Sequence, residues 1–253
     1  MRGLAEKHVI VTGSGSGIGR QIALRFAEEG ARVALFDING EGASETLRLI
    51  DEKGGQGAAY VVDITDQEAV EKTVRDVEEF GPIDVLVNNA GWDKMANFLD
   101  TDAALWKKII DINLYGPLYM HHAVLPGMIK NGGGRVINIS SDAGRVGSSG
   151  EAVYSACKGG IISFTKTVAR ELARKGVQLN AVCPGPTDTP LFAEVSSGAG
   201  AEKIAEGLKR AIPMKRLAHP SDFPGIVCFL ASDDAGFITG QTISVSGGLT
   251  MHG

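Results

Sequence analysis

The chain has 253 residues, 43% of them hydrophobic and 22% charged, with 34 glycines and a formal net charge of −5. This is the make-up of a globular protein, at a length that α/β folds commonly reach as a single unit, and the negative balance speaks against nucleic acid or an anionic membrane as partner. No apolar run approaches the roughly 18 residues of a membrane span, and the opening MRGLAEK has no apolar signal core.

The first β-branched run, HVIVT (8–12), leads into VTGSGSGIGRQIA (11–23). Gly13, Ser16, Gly17, Ile18 and Gly19 then form a glycine-rich turn between a strand and a helix. Such a turn lets backbone amides approach a pyrophosphate at the positive end of the helix. Ile18, Ile22 and Phe26 recur at helical spacing, and Gly30 is a natural stop. The second strand, RVALFD (32–37), ends in Asp37, whose carboxylate is placed to accept bonds from adenosine ribose hydroxyls and to repel a 2′-phosphate. No arginine or lysine stands in the glycine loop or directly after Asp37, so NAD is expected over NADP.

The third strand, AAYVVD (58–63), closes on Asp63-Ile64, with Asp63 placed to meet the adenine. Thr65 or Asp66 can cap a helix through Val70, Val74 and Val77. The fourth strand, DVLVNN (84–89), passes into Asn89, Ala90 and Gly91, which suit the lining of a cofactor site. One long helical pattern follows over 101–130, then a strand over 135–140, a helix over 151–175 and a strand over 177–182. The excursion 190–213 stands where a substrate lid would lie. A helix over 221–232 and a strand over 242–246 complete the series.

Nearly continuous apolar strands alternating with helices predict an α/β fold: a single Rossmann-type doubly wound parallel sheet of about seven strands, buried on both faces. No repeat, charge block or low-complexity linker divides the chain, so 1–253 is read as one domain. Cys157, Cys183 and Cys228 form no CxxC pair and predict a reduced, cytoplasmic setting without a disulfide framework. The five histidines have no metal-ligand grouping, so no metal is expected.

Residues 151–160 read EAVYSACKGG, placing Tyr154 and Lys158 one helical turn apart. Together with TGSGSGIG, NNAG, PGPTDT and GQTISVSGG, this resembles the short-chain dehydrogenase/reductase family over nearly the whole chain. The resemblance implies Tyr154 as acid/base and Lys158 as the group that binds nicotinamide ribose and lowers the phenol's pKa. It implies Ser141 as the carbonyl-orienting serine and Asn113 as the holder of a relay water. Pro184, Gly185, Thr187 and Thr189 fall where the family contacts the nicotinamide carboxamide. Ser140 competes with Ser141, but adjacent strand residues face opposite sides, and the family spacing selects Ser141. The family's usual VDGG reads VSGG here, at Ser246.

The chemistry fits a base beside a charge: a phenol with an ordinary pKa of ~10 is a poor base at neutral pH, and a nearby ammonium favours phenolate. The expected reaction interconverts a secondary alcohol and a ketone with NAD. The pocket wall is expected from Trp92, Lys94, Met95, Asp142, Ala143, Val146, Ser148, Leu191 and Phe192. Stretches such as MHHAVLPGM, RVGSSGEAVY and VSGGLTM most resemble family members that oxidise an alicyclic β-hydroxyacyl-CoA. Lys203, Lys209, Arg210, Lys215 and Arg216 are candidates to meet CoA phosphates. The alternatives are a CoA-free cyclic or aryl secondary alcohol, a 3-oxoacyl-carrier-protein reductase or a non-catalytic NAD-binding regulator. The resemblance also implies a homotetramer.

Overall fold

A computed structural model describes residues 1–195 and 201–251, the side chains of 194–195 and 201–204 excepted. Seven parallel strands form one sheet: β1 (His8–Thr12), β2 (Arg32–Asp37), β3 (Gln56–Val61), β4 (Val85–Asn88), β5 (Gly134–Ile139), β6 (Val177–Pro184) and β7 (Thr242–Val245). Their order is β3-β2-β1-β4-β5-β6-β7. The strand order reverses between β1 and β4, and a crevice opens at their C-terminal ends.

Strand residues alternate between two cores. Val9, Val11, Val33, Leu35, Val85 and Val87 pack with α1 (Gly17–Glu28), α2 (Gly40–Glu52) and α10 (Pro224–Ala231) on one face. Ile10, Ala34, Phe36, Leu86 and Val136 pack on the other with α3 (Gln67–Glu78), α5 (Gly116–Lys130) and α7 (Ala152–Leu172). Helix α2 was not singled out in the sequence, where its start GEGAS carries little apolar signal. Asn39 caps it, accepting from the amide of Gly42 at 3.1 Å. Asp66, rather than Thr65, caps α3 through the amide of Ala69.

Burial on both faces holds for the central strands but not for β3. As the sheet edge, it leaves Gln56, Gly57, Ala58 and Val61 exposed and lies two residues before the apolar run expected to form it. The long helical pattern over 101–130 is interrupted: α4 (Ala103–Ile110) passes through a single π-helical turn, Asp111–Tyr115, before α5 begins. A four-residue helix α6 (Ala143–Val146) follows β5, and the excursion after β6 carries α8 (Pro190–Val195) and α9 (Ala201–Ala211). Segment 196–200 of the expected lid lies outside the described residues, as does the side chain of Lys203. Cys157, Cys183 and Cys228 are all free and buried. No helix among the described residues is long and apolar enough to cross a membrane.

Candidate active site

A cavity of about 1270 Å³ occupies the crevice. It is lined by the glycine turn, the ends of β2 to β6 and residues of the excursion. At one end, Ser16 makes no side-chain cap on α1, which leaves the helix's first amides without a side-chain acceptor at the cavity wall. Gly17 has φ +52°, a left-handed backbone that glycine adopts without strain. A Cβ on Gly19 would stand 2.0 Å from the carbonyl oxygen of Gly13, so this glycine lets the helix seat against the turn. Gly19 is therefore not in the cavity wall, whereas Gly13, Ser16, Gly17 and Ile18 are.

Asp37 lines the same end with Asp63 and Ile64. Its carboxylate accepts from the amides of Gly15 at 2.7 Å and Asn39 at 2.8 Å, so the strand end and the glycine loop are tied together. Arg20 directs its guanidinium at the Gly15 carbonyl and the Thr46 hydroxyl. Asp63 accepts from the amide and hydroxyl of Thr65. Across the switch point, Thr12 Oγ1 accepts from the amides of Asn89 and Ala90, each at 3.0 Å, while Asn89 Nδ2 donates to Thr12 and Gly13 carbonyls. Asn89 thus braces the turn with its side chain, and Asn89, Ala90 and Gly91 line the cavity.

Ser140 and Ser141 diverge as strand neighbours must. Ser140 Oγ donates to the Lys158 carbonyl at 2.8 Å, whereas Ser141 hydrogen-bonds Tyr154 in the cavity. Lys158 Nζ donates to the Ile139 carbonyl at 3.0 Å and lies 5.5 Å from the Tyr154 ring centroid. The π-helical turn brings Asn113 to this centre, fully buried behind the wall. Its Nδ2 donates to the carbonyls of Trp92 at 2.6 Å and Ile109 at 2.9 Å. A Cβ on Gly91 would lie 3.0 Å from Asn113 Oδ1 and 3.3 Å from Lys158 Nζ, so the two groups close on one bare backbone position. Pro184, Gly185, Thr187 and Thr189 line the cavity on the β6 side.

The electrostatics differ from the expectation of a phenol acidified by its lysine. Removal from water, reinforced by Glu151 and Asp93, holds the Tyr154 phenol above its ordinary value, and only the bond from Ser141 pulls it down. Burial pushes Lys158 down to about 8. Desolvation is the largest cause at both groups.

Of the expected pocket wall, Trp92, Met95, Ser148, Leu191 and Phe192 line the cavity. Asp142, Ala143 and Val146 do not: the chain turns into α6 directly after Ser141 and carries them away. Asp142 instead accepts from Ser244 on β7 at 2.5 Å, and Val146 is exposed. Lys94 is also outside the wall. The proposed phosphate contacts are not brought there either. Lys209 pairs with Glu206, Lys215 donates to the Arg210 carbonyl and Arg216 pairs with Asp222. None of Lys209, Arg210, Lys215 and Arg216 lines the cavity.

Residues that sequence reasoning passed over take their place. Lys107 and Lys108 line the cavity, the latter 3.6 Å above the Trp92 ring centroid. Asp93 and Glu151 also line it, close to Tyr154, and burial pushes the Asp93 carboxyl up to about 7. Their only sequence signal was adjacency, one acid beside NNAGW and one opening EAVY.

Comparison with known proteins places these features in a wider set. A family model described as enoyl-(acyl carrier protein) reductase matches residues 13–250. The chain is 38% identical over 252 residues to (3R)-3-hydroxyacyl-CoA dehydrogenase of Rattus norvegicus, covering 96% of this chain and 95% of that one. It is 37% identical over 250 residues to (2S)-[(R)-hydroxy(phenyl)methyl]succinyl-CoA dehydrogenase subunit BbsD of Thauera aromatica, covering 98% of each. Among solved structures, NAD+-bound xylitol dehydrogenase superposes with a TM-score of 0.92 at 35% identity, over 98% of this chain and 100% of that one. An actinorhodin polyketide ketoreductase variant with NADPH does so at 0.92 and 34%, over 100% of each.

Proposed function

This chain belongs to the short-chain dehydrogenase/reductase family, and from that premise we propose that it is an NAD-dependent dehydrogenase whose acid/base is Tyr154. It is an oxidoreductase that interconverts secondary alcohols and ketones. The observation that carries the residue assignment is the bond from Ser141 to Tyr154 in one cavity with Lys158.

The cavity fits a dinucleotide: bare glycine backbone and uncapped α1 amides suit a pyrophosphate, and Asp37 suits a ribose diol. NAD bound there supplies the hydride acceptor. Asp37, with no lysine or arginine directly after it in the chain, supports NAD over NADP. Tyr154 takes the alcohol proton, and Ser141 donates to the developing alkoxide. Lys158 holds the nicotinamide ribose and, as an ammonium, favours the phenolate. Asn113 fixes the turn behind Lys158 and keeps a relay water within reach of it. Residues 190–213 act as the lid, with Leu191, Phe192 and Leu208 on the cavity.

For the substrate we propose an alicyclic β-hydroxyacyl-CoA such as 2-hydroxycyclohexanecarboxyl-CoA. The hydroxyacyl-CoA relatives and the cavity's size and apolar wall support it. A CoA-free cyclic or aryl alcohol is the second reading. It is favoured by the ion pairs that occupy the cations expected to meet CoA phosphates. The family resemblance supports a homotetramer, and the three free buried cysteines support work in the reducing cytoplasm.

One experiment tests the whole assignment. Wild type, Tyr154→Phe and Asp37→Ala are assayed with NAD and NADP on 2-hydroxycyclohexanecarboxyl-CoA and on free cyclic and aryl alcohols. Tyr154→Phe is expected to keep NAD affinity and lose at least ~100-fold in turnover. Asp37→Ala is expected to lose preference for NAD. Near-normal turnover of Tyr154→Phe would remove the mechanism, an unchanged cofactor preference would remove the role of Asp37, and equal use of the free alcohols would remove CoA.

A further inference from the structure

Asp93 follows the turn after β4 and is 4% exposed. Both of its carboxylate oxygens are closed to solvent, and the polar groups that act on them are the Lys94 amide and the Glu151 carboxyl. The carboxyl of Glu151, from the residue before α7, stands against it. Both acids line the cavity together with Trp92, Met95 and Tyr154. A buried carboxyl with so little hydrogen bonding is unusual, because native proteins normally satisfy such groups fully. Here the pair faces the space where a substrate must place whatever is attached to its carbinol carbon.

Two adjacent carboxyls oppose each other's ionisation. Burial first and then the Glu151 neighbour push the Asp93 carboxyl up to about 7, against the opposing pull of the Lys94 amide. Lys158 is the cation that acts on Asp93 from α7, and it is held by the Ile139 carbonyl. The two acids thus stand together in the cavity wall at its Tyr154 end. A further carboxylate brought there meets like charge away from water, where repulsion is strong.

We propose that Asp93 and Glu151 form an anionic gate beside Tyr154, which admits secondary alcohols with a neutral neighbouring group and rejects those with a free carboxylate. A thioester, an ester or a ring passes, and the parent hydroxy acid does not. The gate rests on the secondary-alcohol reaction proposed above, but not on CoA. It makes an acyl substrate acceptable only after its acid has been masked, so the reaction that supplies such a substrate is a carboxylate-activating one.

The test uses 2-hydroxycyclohexanecarboxylate and its methyl ester as competitive inhibitors of the full-length enzyme. The reference reaction is NAD-dependent oxidation of 2-hydroxycyclohexanecarboxyl-CoA or of 1-phenylethanol, whichever turns over faster. In wild type the ester is expected to bind at least ~100-fold more tightly than the acid. The ratio is expected to fall at least ~10-fold in Asp93→Asn and to within ~5-fold of unity in Asp93→Asn/Glu151→Gln. Because each ratio is taken within one variant, a general loss of activity or stability cancels. Similar binding of acid and ester in wild type, or an unchanged ratio in the variants, overturns the gate and leaves the reaction class standing. Absence of turnover on both reference alcohols overturns the reaction class and the gate with it.

Discussion

Lys158 is an ammonium taken almost wholly out of water, at 4% exposure, with one backbone carbonyl as its hydrogen-bond acceptor. Its folded pKa of about 8 lies below the ordinary 10.5, so at neutral pH the native state holds a proton at a cost that the unfolded chain does not bear. The difference corresponds to about 3 kcal/mol. As pH rises from 8 toward 10.5 the native state releases that proton before the unfolded chain does, and this contribution to stability improves. Lys158→Met is accordingly expected to abolish turnover while raising stability at pH 7 by roughly 1–3 kcal/mol. Denaturant unfolding at pH 7 and pH 9 checks it, since the advantage of the variant should shrink at the higher pH. The Tyr154–Lys158 pair was legible because helical spacing is written in the chain. The burial that sets its pKa values was not, nor was the Asp93–Glu151 pair, whose members are 58 positions apart and meet only through the fold.

At the scale of elements, the small residues of YSACKGG acquire a reason. A Cβ on Gly159 would lie 3.2 Å from the Gly144 carbonyl oxygen, and one on Gly144 would fall 2.6 Å from the Lys158 carbonyl carbon. Helix α6 therefore rests directly on the backbone of α7 at the turn that carries Lys158. Gly144→Ala must push the two helices apart, although Gly144 is not in the cavity wall. We expect it to lower kcat by roughly 10–100-fold, since small displacements of positioned groups are costly, with far-ultraviolet dichroism unchanged. Wild-type kcat in this variant would show that α7 does not depend on that contact. The sequence marked one long helical pattern over 101–130 but not the π-helical turn that divides it. One extra residue in a turn does not disturb an apolar pattern enough to be read, yet it is the turn that holds Asn113. The loop after β5 was misread for a related reason. Ser141 was found by its spacing from Tyr154, but the immediate start of α6 carries Asp142, Ala143 and Val146 off the cavity.

Across the whole molecule, a buried polar chain joins the central sheet to the helices over it. Asn88 on β4 donates to Asn138 on β5 at 2.9 Å, and Asn138 donates to Thr165 on α7 at 2.9 Å. Asn88 Nδ2 also lies 3.4 Å from His121 Nδ1 on α5, and His121 meets the edge of Phe164. Burial drives the His121 pKa down to about 4, so the native state keeps the ring neutral where the unfolded chain would protonate it. This stability is fully present above pH 6.5 and is lost as pH falls toward 4, by about 2–3 kcal/mol at pH 4.5. A His121→Gln variant should show a shallower loss between pH 7 and 4.5, measured by urea unfolding. An equal loss in both proteins would assign the acid sensitivity to the carboxylates. The sheet itself was legible in its strand count and its parallel sense, because five apolar strands between covered faces are hard to misread. Edge strand β3 was displaced because exposure removes the apolar signal that locates a strand.

The three buried thiols give the molecule its own clocks. Cys228 lies on the core-facing side of α10, Cys183 on β6 below the cavity and Cys157 on α7 beside Lys158. Burial pushes all three thiols up, to about 12 at Cys228 and about 11 at Cys183. None is a ready nucleophile in the closed native state. Any alkylation therefore counts an opening event, and the three positions time different ones: loosening of the catalytic helix, parting of the strand ends, and melting of the far core.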